Sequence, residues 1–127
     1  MKTGLFTLLG LVAIGCGSSP PTAPSRSAIV TFQVAGETFK VRLITDASID
    51  GAVKAQAGGA ARIPNGRLVA GTDVNTGWTW HLADVEFAEV TIEVCDGRPS
   101  DVERVGPAFG GGRYCPWSAT IVSIQSQ

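Results

Sequence analysis

Residues 77–96, GWTWHLADVEFAEVTIEVCD, contain the clearest secondary-structure pattern in this chain. The first part of this stretch alternates, because Trp78, Trp80 and Leu82 are large apolar residues separated by other residue types. A period of two residues is typical of a β-strand, since successive side chains point to opposite faces of a sheet. The alternation therefore predicts a strand with one buried face and one face toward solvent.

Val85 and Phe87 keep an alternation with the acidic residues between them, and the parity then changes to a second run, VTIEV at residues 90–94, which is apolar at every other position. A slip of one residue turns every side chain over, so we expect a β-bulge or a short connection at Ala88 and Glu89. The second run is rich in β-branched residues and predicts a half-buried strand. The polar positions include Asp84, Glu86, Glu89 and Glu93. They indicate a solvated face or, alternatively, an acidic patch for a basic partner or a cation.

Strands are also predicted before this stretch. Two alternating runs, at residues 30–34 and 39–43, flank a short turn at residues 35–37 that contains Gly36. This arrangement predicts a β-hairpin. Residues 63–66, IPNG, are typical of a turn, and residues 67–70 are a candidate for a short strand.

One main helix is predicted over residues 47–57, with its N-cap at Thr45 or the residue after it. A short helix is predicted over residues 99–105, since its proline lies in the first turn. Residues 106–112 are expected to form a mobile glycine-rich loop, and residues 118–124 a final strand. The elements together predict a single small α+β domain on a mostly antiparallel sheet.

The first fifteen residues predict a signal peptide with a lipobox. Lys2 precedes an uncharged apolar run at residues 5–14, which is too short to span a membrane. The tetrapeptide AIGC at residues 13–16 is typical of a bacterial lipoprotein, in which Cys16 is acylated and becomes the mature N-terminus; an ordinary secretory signal is the alternative. Residues 16–27 then predict a lipidated Cys and a disordered tether, and residues 28–127 a globular domain.

Cysteine usage supports the same assignment to an exported protein of the cell envelope. With Cys16 lipidated, Cys95 and Cys115 are left as a pair, and a disulfide between them is expected outside the cytoplasm. The chain has no C-x-x-C spacing and a single His, so neither a zinc site nor a cofactor is predicted. Ten basic and 11 acidic residues give a net charge near zero, which argues against a nucleic-acid partner.

A candidate binding surface is predicted where the disulfide brings two parts of the chain together. Its aromatic floor is expected from Trp80 and Trp117, whose loss would unfold the domain. Arg113 and Tyr114 follow the glycine-rich loop, so their removal is expected to leave folding nearly intact. The candidate residues are Trp78, Trp80, His81, Asp96, Arg113, Tyr114 and Trp117.

Three blocks of sequence occur in the order W-T-W-H at 78–81, I-E-V-C-D-G-R-P-S at 92–100 and Y-C-P-W at 114–117. The set resembles a family of small bacterial exported proteins that are similar to the N-terminal domain of a eukaryotic calmodulin-binding protein. The resemblance covers most of the chain after the tether. It implies a shared fold and the Cys pair, and it implies little about activity. Calmodulin binding is not carried over, because no basic amphipathic helix is present.

Two classes of function fit these observations. The first is a non-enzymatic module, anchored to a membrane by its lipid, that binds a protein or small molecule outside the cytoplasm. The second is a small hydrolase-like or metal-dependent accessory enzyme that uses His81 with nearby carboxylates. No nucleophile, metal or cofactor motif accompanies His81, so the sequence favours the first class.

We predict that cleavage behind Gly15 leaves an acylated Cys16 at the mature N-terminus, because small residues precede this Cys and follow an apolar run. Mass spectrometry of the N-terminal peptide, isolated from membranes, measures the added acyl mass. An unmodified Cys16, or cleavage at another bond, would contradict the prediction. Cys16→Ser is the matched variant and should release the protein from the membrane fraction.

Overall fold

A computed structural model describes Gly15 and residues 26–127. The predicted signal peptide, the acylated Cys16 and residues 17–25 of the tether fall outside this description, apart from Gly15. Arg26 and Ser27 already contact the folded part, because Arg26 pairs with Asp46 at 3.2 Å and the Ser27 carbonyl accepts from the Gln127 N–H at 2.9 Å. Among the described residues, no helix combines the length and the apolar character that a membrane crossing requires.

The predicted hairpin is confirmed as strand β1, Ala28–Val34, and strand β2, Glu37–Leu43. Ala35 and Gly36 connect the strands, and both have positive φ angles, of 50° and 82°. Positive φ at both central residues is what a two-residue hairpin turn needs to match the twist of the strands. Strand β6, Thr120–Ser126, pairs antiparallel with β1 on its other side, so the first sheet has the order β2-β1-β6.

Helix α1, Asp46–Gln56, follows β2. Thr45 caps it, since its Oγ1 accepts from the Ser48 N–H at 3.1 Å. The helix buries Ile49 and Ala52, whereas Val53 is exposed. Gly51 allows close packing, because a Cβ there would lie 2.9 Å from Cδ2 of Phe87.

The second sheet has the order β4-β3-β5 and is also antiparallel. It comprises β3, Ile63–Ala70, β4, Trp80–Ala88, and the two-residue β5, Arg113–Tyr114. The predicted turn at residues 63–66 is wrong, since these residues form the start of β3. Pro64 is compatible with the strand because β5 pairs only with Gly66 and Arg67, which leaves no ladder bond for the missing N–H.

A β-bulge in β4 changes the parity between Leu82 and Val85, which are both buried. Asn65 pairs with Glu86 and Arg67 pairs with Ala83, so Gly66 lies opposite two residues of β4. One of the two, Asp84, has a φ of 53°. The bulge therefore lies earlier than the expected position at Ala88 and Glu89.

The strand predicted over residues 90–94 is wrong. Strand β4 ends at Ala88, and the chain continues irregularly into a short 3-10 helix, Glu93–Cys95. The β-branched residues of this run do not pair with any strand in the described part of the chain. High β-propensity does not form a strand where no partner edge is present.

The chain returns through helix α2, Pro99–Val105, as predicted, and a second 3-10 helix, Phe109–Gly111, within the expected glycine-rich loop. One hydrophobic core joins both sheets. It is centred on stacked and edge-to-face aromatic rings, namely Phe32, Phe39, Trp80 and Tyr114. The prediction of a mostly antiparallel α+β domain with one main helix and one short helix is confirmed, and its strands form two sheets.

Replacing Gly66 with Ala should lower the free energy of unfolding by about 1–3 kcal/mol, because the added methyl group would clash with the bulged residues of β4. A Cβ at Gly66 would lie 2.8 Å from Cγ2 of Val85 and 3.1 Å from Cβ of Leu82. Urea unfolding measures the change. The control is Arg67→Ala on the same strand, whose exposed ion pair with Asp84 is worth less than about 1 kcal/mol. Equal losses for the two variants would contradict the account.

Candidate functional site

A disulfide joins Cys95 to Cys115, as predicted, and closes a ring with a sequence separation of 20. The Cys115 N–H also donates to the Cys95 carbonyl at 2.7 Å. Both sulfurs contact the Ile92 carbonyl oxygen, at 3.3 and 3.4 Å; a disulfide has no thiol hydrogen, so these are contacts and not hydrogen bonds. The link fixes the end of the irregular segment after β4 against the chain that follows β5.

Tyr114 is fully buried, and its expected place on a dispensable surface is wrong. Its hydroxyl donates to the Gly97 carbonyl at 2.8 Å, and its ring packs against Phe39, Trp80 and Phe109. Burial, with the neighbouring carboxylates, raises the pKa of Tyr114 far above its ordinary value. The phenol therefore stays protonated and serves as a donor that positions the turn at Gly97.

The turn at Gly97 is held by two carboxylates. The Oδ1 atom of Asp96 accepts from the backbone N–H groups of Gly97 and Trp117, both at 2.9 Å. Asp101 accepts from the Arg98 N–H at 2.9 Å, which is the main reason that the pKa of its carboxyl lies below the usual range. Asp96 is thus a bridge between two chain segments.

The remaining candidate residues fall into separate places. Trp80 is buried in the core, and Trp78, half-buried, donates from Nε1 to the Thr38 carbonyl at 2.8 Å. His81 lies on β4, where Nδ1 donates to the Gly71 carbonyl at 2.7 Å and closes the loop before the strand. Arg113 lies on β5, at the other edge of the sheet, where its Nε donates to Oδ1 of Asn65 at 2.8 Å. The structure thus links Asp96, Tyr114 and Trp117 at the Gly97 turn, and Trp80 adjoins them through the Tyr114 ring. The side chains of His81 and Arg113 bond elsewhere.

The polarity of residues 90–94 is inverted relative to a surface segment. Val90, Ile92 and Val94 are exposed by 77, 67 and 62 %. Thr91 points inward instead, and its Oγ1 is buried without a hydrogen-bond partner in the described part of the chain. Because a buried, unpaired hydroxyl and exposed aliphatic groups both cost free energy, this 90–94 segment is not optimised for an isolated domain.

Trp117 lies close to this segment in the fold, one residue beyond Pro116, and is 43 % exposed. It lines a cavity of about 470 Å³ together with Ile63 and Ile121. The ring is therefore available for contact, and Trp117 is not part of the expected buried floor.

A larger groove of about 890 Å³ lies between α1 and the outer edge of β4. Ala60 and Glu89 line both cavities, so the two adjoin at these residues. Residues from α1, such as Ala47 and Lys54, form one wall, and residues 84–87 of β4 form the other.

Residues 26–127 match the family described as the BP-74 N-terminal domain. The chain belongs to this family. No curated protein and no solved structure has significant similarity to the chain. The match to the BP-74 family begins at Arg26, where the continuous described stretch of the chain also begins.

In this member of the family, the described residues contain no group of three or more His, Cys, Asp or Glu side chains placed to hold a metal ion. Asp84, Glu86, Glu89 and Glu93 are exposed, and Asp84 pairs with Arg67 at 3.2 Å. The surface features that the described residues do show are the apolar 90–94 segment, the exposed indole of Trp117 and the groove beside α1.

Tyr114→Ala should lower the free energy of unfolding by about 3–5 kcal/mol, because it removes a fully buried ring. Tyr114→Phe should cost about 1–2 kcal/mol through loss of the bond to Gly97. Arg113→Ala, the neighbouring control, should cost less than about 1 kcal/mol. Urea unfolding under non-reducing conditions gives all three values. A larger loss for Arg113→Ala than for Tyr114→Ala would sink this assignment.

Proposed function

We propose that this protein is a binding module, anchored outside the cytoplasm to a bacterial membrane by lipid on Cys16, that recognises a protein partner through the 90–94 segment and Trp117. The inverted polarity of the segment carries the proposal. Three aliphatic side chains point to solvent, while the buried Oγ1 atom of half-buried Thr91 has no hydrogen-bond partner among residues 26–127. A partner that covers them removes the cost of their exposure.

The free energy available from this contact is sufficient for specific binding. Complete burial of a Val or Ile side chain contributes about 1.5–3 kcal/mol, and a Trp at the centre of an interface is often among its strongest contacts. The segment provides three such aliphatic residues, and its end is linked to the chain at Trp117 by the Cys95–Cys115 disulfide and by the bond from the Trp117 N–H to Asp96.

The segment is also held in place before a partner arrives. The disulfide fixes Cys95, and Gly110 packs directly on it, since a Cβ at Gly110 would lie 2.7 Å from the Cys95 Cα. A surface that is already ordered loses less conformational entropy on association, which raises affinity. This rigidity favours recognition of a folded or extended protein surface over a role as a loose connector.

The proposed lipid on Cys16 limits how far from the membrane the partner can lie. Residues 17–25 separate Cys16 from the folded part, and nine extended residues span at most about 30 Å. A lipid on Cys16 would therefore hold the domain close to the membrane surface. The partner is expected to be a protein of the same membrane or of the layer beside it.

Photo-crosslinking in cells tests the proposal. A photoreactive phenylalanine analogue at position 92 of the full-length protein should give a discrete adduct of higher mass. The same analogue at position 122 is the matched control, because Val122 is similarly exposed, by 55 %, on β6. Replacing Val90 and Val94 with Ser should reduce the adduct formed from position 92 at least fivefold.

Identical adducts from positions 92 and 122, or an adduct from position 92 that is insensitive to the two Ser replacements, would place the working surface elsewhere. Thermal melting of each variant checks that the fold is retained. The three aliphatic side chains contribute little to the core, so melting temperatures should stay within a few degrees of the parent.

A further inference from the structure

At the start of β4, the edge that faces away from β3 is covered by the side chain of Asn75. Asn75 is fully buried, its Nδ2 donates to the Trp80 carbonyl at 2.9 Å, and its Oδ1 accepts from the Lys40 N–H at 2.8 Å. This one side chain therefore caps the edge and ties it to β2. An added strand has no access there.

The same edge is open beyond the bulge. The Leu68 N–H donates to the Gly112 carbonyl at 2.9 Å, just before β5. Because backbone groups alternate in direction along a strand, the even-numbered residues of β3 direct their N–H and C=O groups toward β5. Pro64 shares this parity, so its partner Phe87 directs its N–H and C=O away from β3. In residues 26–127, no other backbone group bonds to Phe87 from that side.

The open edge forms one wall of the groove, and α1 forms the other. Gly51 and Phe87 contribute to its apolar floor. An exposed strand edge beside a helix is a common site for β-augmentation, in which an extended peptide adds a strand and its side chains enter flanking pockets. The width that a strand needs beside its neighbour is about 5 Å, and the groove of about 890 Å³ accommodates a segment of a few residues.

The charge of the groove selects the peptide. Four carboxylates, of Asp50, Asp84, Glu86 and Glu89, line it, against the single ammonium group of Lys54. Asp84 pairs with Arg67 and Asp50 with Arg26, at 3.2 and 3.6 Å. Glu86 and Glu89 have no ion-pair partner among residues 26–127. A cationic side chain complements them.

We infer that this groove binds an extended peptide segment that adds to the outer edge of β4 at Phe87 and places a Lys or Arg side chain beside Glu86 and Glu89. The inference rests on the proposed function, because the segment belongs to the protein partner. The cavity lined by Trp117 adjoins the groove at Glu89, and the 90–94 segment follows Glu89 directly in the chain, so one partner can reach both the edge and the apolar segment.

The test uses the full-length protein in detergent and two pools of random nine-residue peptides, one with Lys and the other with Glu fixed at the central position. Retention is measured by mass spectrometry. The Lys pool should be retained at least tenfold more than the Glu pool. Methylation of the central amide nitrogens of a retained peptide should abolish its binding, because backbone pairing requires those N–H groups.

Matched variants locate the binding. Ala47→Trp places an indole in the groove from exposed α1, and Val53→Trp places one on a part of α1 that does not line it. The first should abolish retention of the Lys pool and the second should leave it unchanged. Glu86→Gln with Glu89→Gln should remove the preference for Lys, whereas Asp73→Asn, which neutralises a carboxylate outside the groove, should preserve it.

Equal retention of the two pools, or a preference that survives Ala47→Trp, overturns the inference. If adducts still form at position 92 in that case, the proposed function stands without this site. A second copy of the chain in the groove would appear as a dimer in sedimentation that Ala47→Trp dissociates, with no difference between the pools, and this result also overturns the inference. Loss of both the adducts and the Lys preference would reject both proposals.

Discussion

The extra residue in β4 determines which side chains of this strand enter the core that joins the two sheets. Trp80 and Leu82 share one parity and Val85 the other, yet all three are buried. Only an inserted residue lets one strand direct both sets into the core. The glycine opposite the insertion accommodates the crowding, and Asp84 adopts a backbone conformation that is uncommon for a residue with a side chain.

The insertion also divides the outer edge of β4 into two parts with different environments. Before it, Asn75 joins the two sheets through two backbone groups. After it, the strand faces α1 across a groove and then ends, and the irregular 90–94 segment begins. The features that carry the functional proposals thus lie consecutively along one part of the chain.

Sequence patterns predicted the elements that are specified by local signals, namely alternation, turn residues and helix caps. The hairpin follows from its alternation and its glycine turn, and α1 and α2 follow from Thr45 and Pro99 at their starts. The environment of residues 90–94 depends on whether another strand lies beside them, and no local pattern contains that information. Tyr114 was misplaced for the same reason: a two-residue strand has no periodicity, and its burial comes from distant rings. The groove requires α1 and β4 to be positioned in three dimensions, which spacing along the chain does not show.

The proposed recognition depends on the oxidised state of Cys95 and Cys115. Cys95 follows the 90–94 segment directly, and its partner Cys115 comes after the glycine-rich turn that packs on it. In a reducing compartment these two regions are not covalently joined, and the aliphatic residues lose the support that orders them. On the proposed export and binding, competence to bind would therefore depend on oxidation, and the binding surface would be completed only outside the reducing compartment in which the chain is made.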